Sequence, residues 1–373
     1  MFIFFTSCLS LSKSLIEESK RGRKVLQNVG IVGFGAYIPA NRLPVKEVAE
    51  FWGKEPKNIE KSLGVIEKAI PDEDEDAVTM GVEAGLAALK MGKVPPEKLE
   101  AIYVGSESHP YAVNPSATII GEALGVGRNY LAADLEFACK AATAGMENLA
   151  GLLEADLINY GMVIGSDASQ AKPHDALEYT VGAGAAAFIL SRKKEKFLVQ
   201  ILDFASYSSD TPDFWRRDGI PYPSHQGRFS GKPAYFVHVT SAAKKLLEKN
   251  KMKPADFSYC VFHMPNGKFP LEAALTLGFE KKQLEPGLIV GQIGNPYSAS
   301  SLLGLCSVLE VAKPNDLIFL TSYGSGAGAD SFILKTTKLL NTARKRVSGI
   351  KEYLNNRREI SYSKYLRLTN KIL

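Results

Sequence analysis

Cysteine is scarce in this sequence: Cys8, Cys139, Cys260 and Cys306 are the four in 373 residues. They form no CxxC pair, and no histidine stands near them at ligand spacing, which argues against a zinc site or a disulfide framework. At most one of them is expected to be chemically special. Long apolar runs are missing too, and none approaches the roughly 20 residues that a membrane-spanning helix requires. The apolar start, Met1-Phe-Ile-Phe-Phe5, is short, and its basic residues (Lys20 to Lys24) follow it. A secretory signal has that charge in front. The expected compartment is therefore the cytoplasm.

With 45% hydrophobic and 23% charged residues, the chain can bury a large core. Its length suits two or three domains, or one large duplicated unit. Folded-domain patterning begins at Val29, so residues 1–28 read as a disordered extension, the mark of a mistaken start codon. The net charge of +5 hides an asymmetry: residues 335–373 hold eleven Lys/Arg against two Asp/Glu, leaving the remainder at −4. A basic tail suits nucleic acid or an acidic membrane. This one also carries spaced apolar residues, among them Val347, Ile350, Leu354, Ile360, Tyr362 and Tyr365. That pattern predicts a docked helix and arm over residues 336–373, with neither nucleic acid nor membrane as a partner.

The chain repeats itself. Gly182-Ala-Gly-Ala-Ala-Ala-Phe-Ile-Leu190 returns as Gly326-Ala-Gly-Ala-Asp-Ser-Phe-Ile-Leu334, with seven of nine positions identical. Each copy follows an apolar, strand-like run, Met162-Val-Ile-Gly165 and Leu317-Ile-Phe-Leu320. Upstream, a helical stretch at 81–90 leads through Pro95-Pro96 to Ala101-Ile-Tyr-Val104, as one at 242–249 leads through Pro254 to Tyr259-Cys-Val-Phe262. Helix and buried strand alternate in each half, which predicts an α/β fold with a parallel sheet covered by helices. The halves span 29–192 and 196–335.

The duplication also arranges the polar residues. Glu107 follows one predicted strand, and Cys139 comes 32 residues later; His263 follows the matching strand, and Asn295 comes 32 residues after it. Sites in open α/β sheets form at the carboxyl ends of strands, so a pseudo-two-fold brings both pairs to one pocket. Cys139 opens a small-residue helix, where the helix N-terminus favours a thiolate. A packed core cysteine is the equal alternative on local sequence alone, and the paired arrangement favours the nucleophile. His263, at a strand exit, suits acid–base work near neutral pH. Asn295 serves equally as a helix cap or as a donor to a thioester oxygen. Glu107, beside a cavity, is a candidate base with a raised pKa. Gly324-Ser-Gly-Ala-Gly328 lacks the ending of a phosphate-binding loop, and neither repeat matches a dinucleotide fingerprint.

Taken together, Gly30-Ile-Val-Gly-Phe-Gly-Ala-Tyr-Ile-Pro39, Gly105-Ser-Glu-Ser108, Phe137-Ala-Cys-Lys140, Ser209-Asp-Thr-Pro-Asp-Phe-Trp-Arg-Arg-Asp218, Pro265-Asn-Gly-Lys-Phe-Pro270 and Gly294-Asn-Pro-Tyr297 carry a resemblance. From Val29 to Leu373 the chain resembles the archaeal-type 3-hydroxy-3-methylglutaryl-CoA (HMG-CoA) synthases of the thiolase superfamily. The resemblance implies a thiolase fold, two α/β halves in a five-layer αβαβα sandwich. It implies condensation of acetyl-CoA with acetoacetyl-CoA and water, a mevalonate-pathway step, without cofactor or metal. By the matching positions, Cys139 carries the acetyl group, Glu107 removes its methyl proton, and His263 polarises the ketone of acetoacetyl-CoA. Asn295 and Ser325 hold the acyl portion, Thr180, Arg228 and Ser230 complete the pocket, and Lys268 meets the CoA phosphates. Two positions depart from the family pattern: Met264 where Gln is expected, and Glu272 where an Arg near CoA is expected. The partners implied are a second copy of the chain, and acetoacetyl-CoA thiolase bound through a small zinc-containing bridging protein.

Two other readings share these features. A ketoacyl-ACP synthase III type condensing enzyme has the Cys, His and Asn trio but obtains its carbanion by decarboxylation, so it needs no carboxylate base; Glu107 discriminates. A non-catalytic scaffold has no reason to keep Cys139, Glu107, His263 and Asn295 together.

Overall fold

The computed structural model describes Leu26, residues 28–168 and residues 171–371. Apart from Leu26 and Asn28, the extension expected over residues 1–28 lies outside them. Leu26 already packs against the central core. In chain order the strands are β1 (Gly30–Tyr37), β2 (Asn41–Pro44), β3 (Glu67–Ile70), β4 (Ala101–Gly105), β5 (Leu131–Leu135), β6 (Tyr160–Asp167), β7 (Gly184–Ser191), β8 (Val199–Thr211), β9 (Phe214–Trp215), β10 (Ser224–His225), β11 (Tyr259–Phe262), β12 (Leu317–Thr321), β13 (Gly326–Thr336) and β14 (Arg358–Glu359). The helices that frame the site are α1 (Ala77–Gly92), α2 (Ser116–Leu124), α3 (Ala141–Glu154), α4 (Phe236–Asn250), α5 (Phe269–Leu277), α6 (Ser300–Val311), α7 (Ile350–Asn355) and α8 (Tyr362–Leu368).

Nine strands form one sheet in the order β11-β12-β13-β8-β1-β7-β6-β4-β5. It divides where β1 meets β8 through only two residue pairs, Gly30 with Gln200 and Ile31 with Val199. On one side stand β1-β7-β6-β4, on the other their counterparts β8-β13-β12-β11, and β5 extends the first half. The repeated nonapeptides supply most of β7 and β13. The sheet is mixed rather than parallel throughout. β4 pairs in parallel with β5 and β6, and β11 with β12, but β7 and β13 run antiparallel to their neighbours. A parallel connection needs a crossover of a dozen or more residues, and β13 starts too soon after β12 to make one. Both faces of β7 and β13 are buried, so their sequences carry no polar alternation that would betray the reversal.

Side chains along each strand alternate between layers. Ala186, Phe188 and Leu190 of β7 and Val163 of β6 face a central core. Ala185, Ala187 and Ile189, with Met162 and Ile164, face α1 and α2 on the outside. In the second half Val261, Ile318, Leu320, Phe332 and Leu334 look inward. Cys260, Phe262, Phe319 and Ile333 look outward to α4 and α5. Helices α3 and α6 fill the centre, giving helix, sheet, helix, sheet, helix. α1 is started by Asp76, whose carboxylate accepts from the backbone of Val78 and Thr79. It lies so close to β1 that a Cβ on Gly35 would come within 2.3 Å of the Ala84 carbonyl, which requires glycine there.

The basic tail is folded against the body. β14 pairs with β2, and Ile350, Ile360, Tyr362 and Tyr365 are buried in the central core. Each such side chain contributes about 1.5–3 kcal/mol, more than a loosely tethered polycation could recover from surface charge. No helix among the described residues is long and apolar enough to cross a membrane.

Candidate active site

Cys139 sits in a tight 3₁₀ turn, Ala138–Lys140, directly ahead of α3. The chain enters that turn through Ala138 at φ 43°, and the equivalent turn of the second half, Tyr297–Ala299, through Tyr297 at φ 45°. Left-handed backbone at non-glycine residues costs ~1–2 kcal/mol and gathers at functional sites. The two strained turns meet across the pseudo-two-fold.

The thiol of Cys139 donates to Glu107 Oε1 at 3.0 Å. Glu107 follows β4, and its loop is held by a residue the sequence reading missed. Asp167, at the end of β6, is fully buried. Its Oδ1 accepts from Ser106 Oγ, the Glu107 N–H and Ser108 Oγ at 2.7–2.8 Å, and its Oδ2 accepts from the Ser298 N–H at 2.9 Å. One carboxylate thus ties the loop carrying Glu107 to the strained turn of the other half. The available signal was an acidic residue ending the apolar run 162–165. Asp213 plays a similar part: it accepts from the Tyr323 hydroxyl at 2.6 Å and the Gly326 N–H at 2.8 Å.

Burial, and then the charge of Asp167, push the Glu107 carboxyl up to about 8. The Cys139 thiol is also pushed well above its ordinary value, by burial and then by Glu107. This corrects the expectation of a helix-stabilised thiolate. α3 begins only at Ala141, after the turn that holds the sulfur, and the carboxyl group 3.0 Å from the thiol outweighs a partial dipole charge. The sulfur rests as a thiol, and Glu107 becomes able to accept its proton as the pH rises through about 8. Burial pulls His263 down to about 3, so it is neutral. Its buried Nδ1 has no hydrogen-bond partner among the described residues, which leaves a ring nitrogen for a ligand.

Cys139, His263, Asn295, Thr180, Ser230, Ser325 and Lys268 all line one cavity of about 360 Å³. Asn295 caps the turn, its Oδ1 accepting from the Tyr297 N–H at 3.0 Å, and its side chain lines the cavity. Tyr235, Tyr297, Tyr323 and Phe214 also line it; aromatic residues carried no spacing that singled them out. Glu107 borders a second cleft of about 670 Å³, with Phe214 between the two. Arg228 is exposed and does not line the cavity, because the short turn Gly227–Ser230 turns Gly227 and Ser230 inward instead. Glu272 pairs with Lys232 at 2.7 Å near the mouth, where Lys268 is exposed. Met264 is a core residue, 1% exposed, and does not line this cavity. Among the described residues no group of three His, Cys, Asp or Glu could hold a metal ion.

The hydroxymethylglutaryl-CoA synthase of Archaeoglobus fulgidus is 52% identical to this chain, covering 92% of it and 99% of its own length. The chain belongs to the hydroxymethylglutaryl-CoA synthase family. The enzyme of the same name from Methanocaldococcus jannaschii is 50% identical over 92% of this chain and 99% of its own. The family model for the C terminal of 3-oxoacyl-[acyl-carrier-protein (ACP)] synthase III matches residues 247–336. Among solved structures, MvaS in complex with 3-hydroxy-3-methylglutaryl coenzyme A superposes with a TM-score of 0.85 at 22% identity, covering 94% of this chain and 93% of that one. FabH from Pseudomonas aeruginosa superposes with a TM-score of 0.77 at 20% identity, covering 84% and 99%. These likenesses show the thiolase fold.

Proposed function

We propose that this member of the family condenses acetyl-CoA with acetoacetyl-CoA and water to give HMG-CoA and CoA, through an acetyl thioester on Cys139. The 3.0 Å contact between the Cys139 thiol and Glu107 carries the reading. When the sulfur attacks acetyl-CoA, Glu107 takes the thiol proton and passes it to the departing CoA sulfur. The carboxylate then removes a proton from the acetyl methyl group. The resulting enol(ate) carbon bonds to the ketone carbon of acetoacetyl-CoA. His263, neutral, polarises that ketone by hydrogen bonding, and Glu107 returns its proton to the new alkoxide. Water next attacks the Cys139 thioester, giving its proton to Glu107, which hands it to the released sulfur. Every proton is accounted for by one carboxyl group, so no cofactor or metal is called on. Asn295 and Ser325 hold the acyl oxygen side, Thr180 and Ser230 border it, and Lys268 meets the CoA phosphates at the mouth.

The cytoplasm is the proposed compartment and a homodimer the proposed state. The dimer is supported by the sheet-edge strand β5 with its exposed Leu131, 51% accessible. Association with acetoacetyl-CoA thiolase through a small zinc-containing bridging protein rests on the resemblance, and co-purification tests it.

The first test is intact mass after incubation with acetyl-CoA alone, beside Cys139→Ala. The expected result is an acetyl adduct absent from the variant and discharged to HMG-CoA by acetoacetyl-CoA. The match over residues 247–336 to the synthase III model gives the second reading its place. An adduct that condenses only with malonyl-ACP would establish that reading. No adduct from folded protein would remove the nucleophile assignment.

A further inference from the structure

Glu178 is wholly buried yet takes part in none of these steps. It sits on the 3₁₀ turn Ala176–Tyr179, two residues before Thr180. Leu177 and Val181 from the same segment pack with Cys139 in one small apolar cluster, so this turn is the cavity wall beside the nucleophile. Such a short 3₁₀ turn has weak internal hydrogen bonding and gains little rigidity of its own. Its hold comes from outside. One oxygen of Glu178 accepts from Trp52 Nε1 at 3.0 Å and the His174 N–H at 2.8 Å. The other accepts from the hydroxyl of Tyr362 at 2.9 Å, and Tyr362 belongs to α8 of the C-terminal arm.

The arm grips the same wall further along. Lys68 donates to the Glu178 carbonyl and lies over the Tyr365 ring, 4.5 Å from its centroid. Lys371 donates to the Tyr365 hydroxyl at 3.0 Å and lies 5.9 Å from the ring of Tyr222. Tyr222 is on the loop joining β9 to β10, which brings His225 into the cavity lining. The arm therefore touches two walls of a cavity it does not enter.

We propose that the C-terminal arm, acting through Tyr362 and Glu178, fixes the width of the cavity beside Cys139 and so restricts the acyl group carried there to two carbons. Glu178 and Tyr362 are positioning residues. An apolar wall rejects one extra methylene only if it cannot yield. This inference rests on Cys139 being the acyl carrier.

The test compares the rates at which acetyl-CoA and propionyl-CoA acylate Cys139, by quenched intact mass. Tyr362→Phe keeps the ring against Phe51, whose centroid is 4.4 Å away, and removes only the hydroxyl; Glu178→Gln keeps the shape. The expected result in both is an acetyl rate within about twofold of the parent and a preference for acetyl reduced about fivefold or more, since a full methylene discrimination is worth about 10–200-fold. Ile360→Val loosens the arm's packing without touching Glu178, and is expected to lower the unfolding midpoint while leaving the preference unchanged. Rates for both donors falling in proportion in Tyr362→Phe and Glu178→Gln, or an unchanged preference with the adduct formed, would overturn the proposal alone. No adduct in the parent chain from either donor would remove the nucleophile reading and this proposal with it.

Discussion

The Glu107→Gln substitution is expected to leave a folded protein whose Cys139 still becomes acetylated, while HMG-CoA formation falls by about 10³-fold, within the span of general acid–base catalysis. Gln accepts a hydrogen bond from the thiol but holds no proton. Thiol transfer between two sulfurs tolerates that loss, since CoA sulfur is itself a good leaving group. Abstraction from a methyl carbon does not. The acetyl adduct should therefore accumulate, and exchange of its methyl protons in deuterated water should stop. The pH profile adds a sign. Glu107 must be ionised to act as base, and burial with Asp167 has raised its pKa to about 8. Turnover should climb as the pH rises through about 8, and that limb should vanish in Glu107→Gln. If the variant keeps more than about a tenth of parental turnover, a much smaller loss than a general base should give, another carboxylate is the base. Asp167, whose own pKa is raised by burial, is then the first candidate.

The pairing of polar residues could be seen in the chain because duplication writes spacing into sequence. Two copies of one helix-and-strand unit place Glu107 and His263 after equivalent strands, and no side-chain geometry was needed to see it. The register was less faithful. The true mates are the strained turns at Ala138 and Tyr297, and nothing in Ala or Tyr announces a left-handed backbone, since both are ordinary residues held there by their surroundings. The direction of the Cys139 pKa was also out of reach. It depends on a carboxylate 32 residues away lying 3.0 Å from the sulfur, a closer and stronger influence than the helix start that local sequence displays. Asp167 escaped for a related reason: its importance lies in four donors drawn from two segments far apart in the chain, which a linear reading cannot gather. Arg228 shows the converse limit. A position matched by motif fixes where the backbone passes, and a single turn then decides whether the side chain faces the cavity or solvent.

Asp330→Ala should cost about 3–5 kcal/mol of stability, and Lys140→Met a similar amount, whereas the double substitution should recover most of the loss. Lys140, next to Cys139, is 4% exposed, and its ammonium meets Asp330 Oδ2 at 3.1 Å in a wholly buried site. Thr143 Oγ1 donates to the same oxygen at 2.8 Å, and the ammonium also lies over the Phe137 ring. Each single change strands one buried charge without its opposite, leaving the Thr143 hydroxyl or the Phe137 ring beside it; removing both strands none. The internal repeat makes the double variant a natural one. Asp330 is one of the two positions at which the second nonapeptide differs from the first, and the first has Ala186 there, buried without strain. The ion pair also binds the nucleophile's turn to β13 of the opposite half. The double variant should therefore unfold near the parental midpoint yet acetylate Cys139 about tenfold more slowly, the scale expected when a reacting group loses its fixed placement. Denaturant midpoints for the four proteins of the cycle decide it. Single losses that simply add in the double variant would mean that Lys140 and Asp330 act by shape, each on its own, rather than as a charge pair.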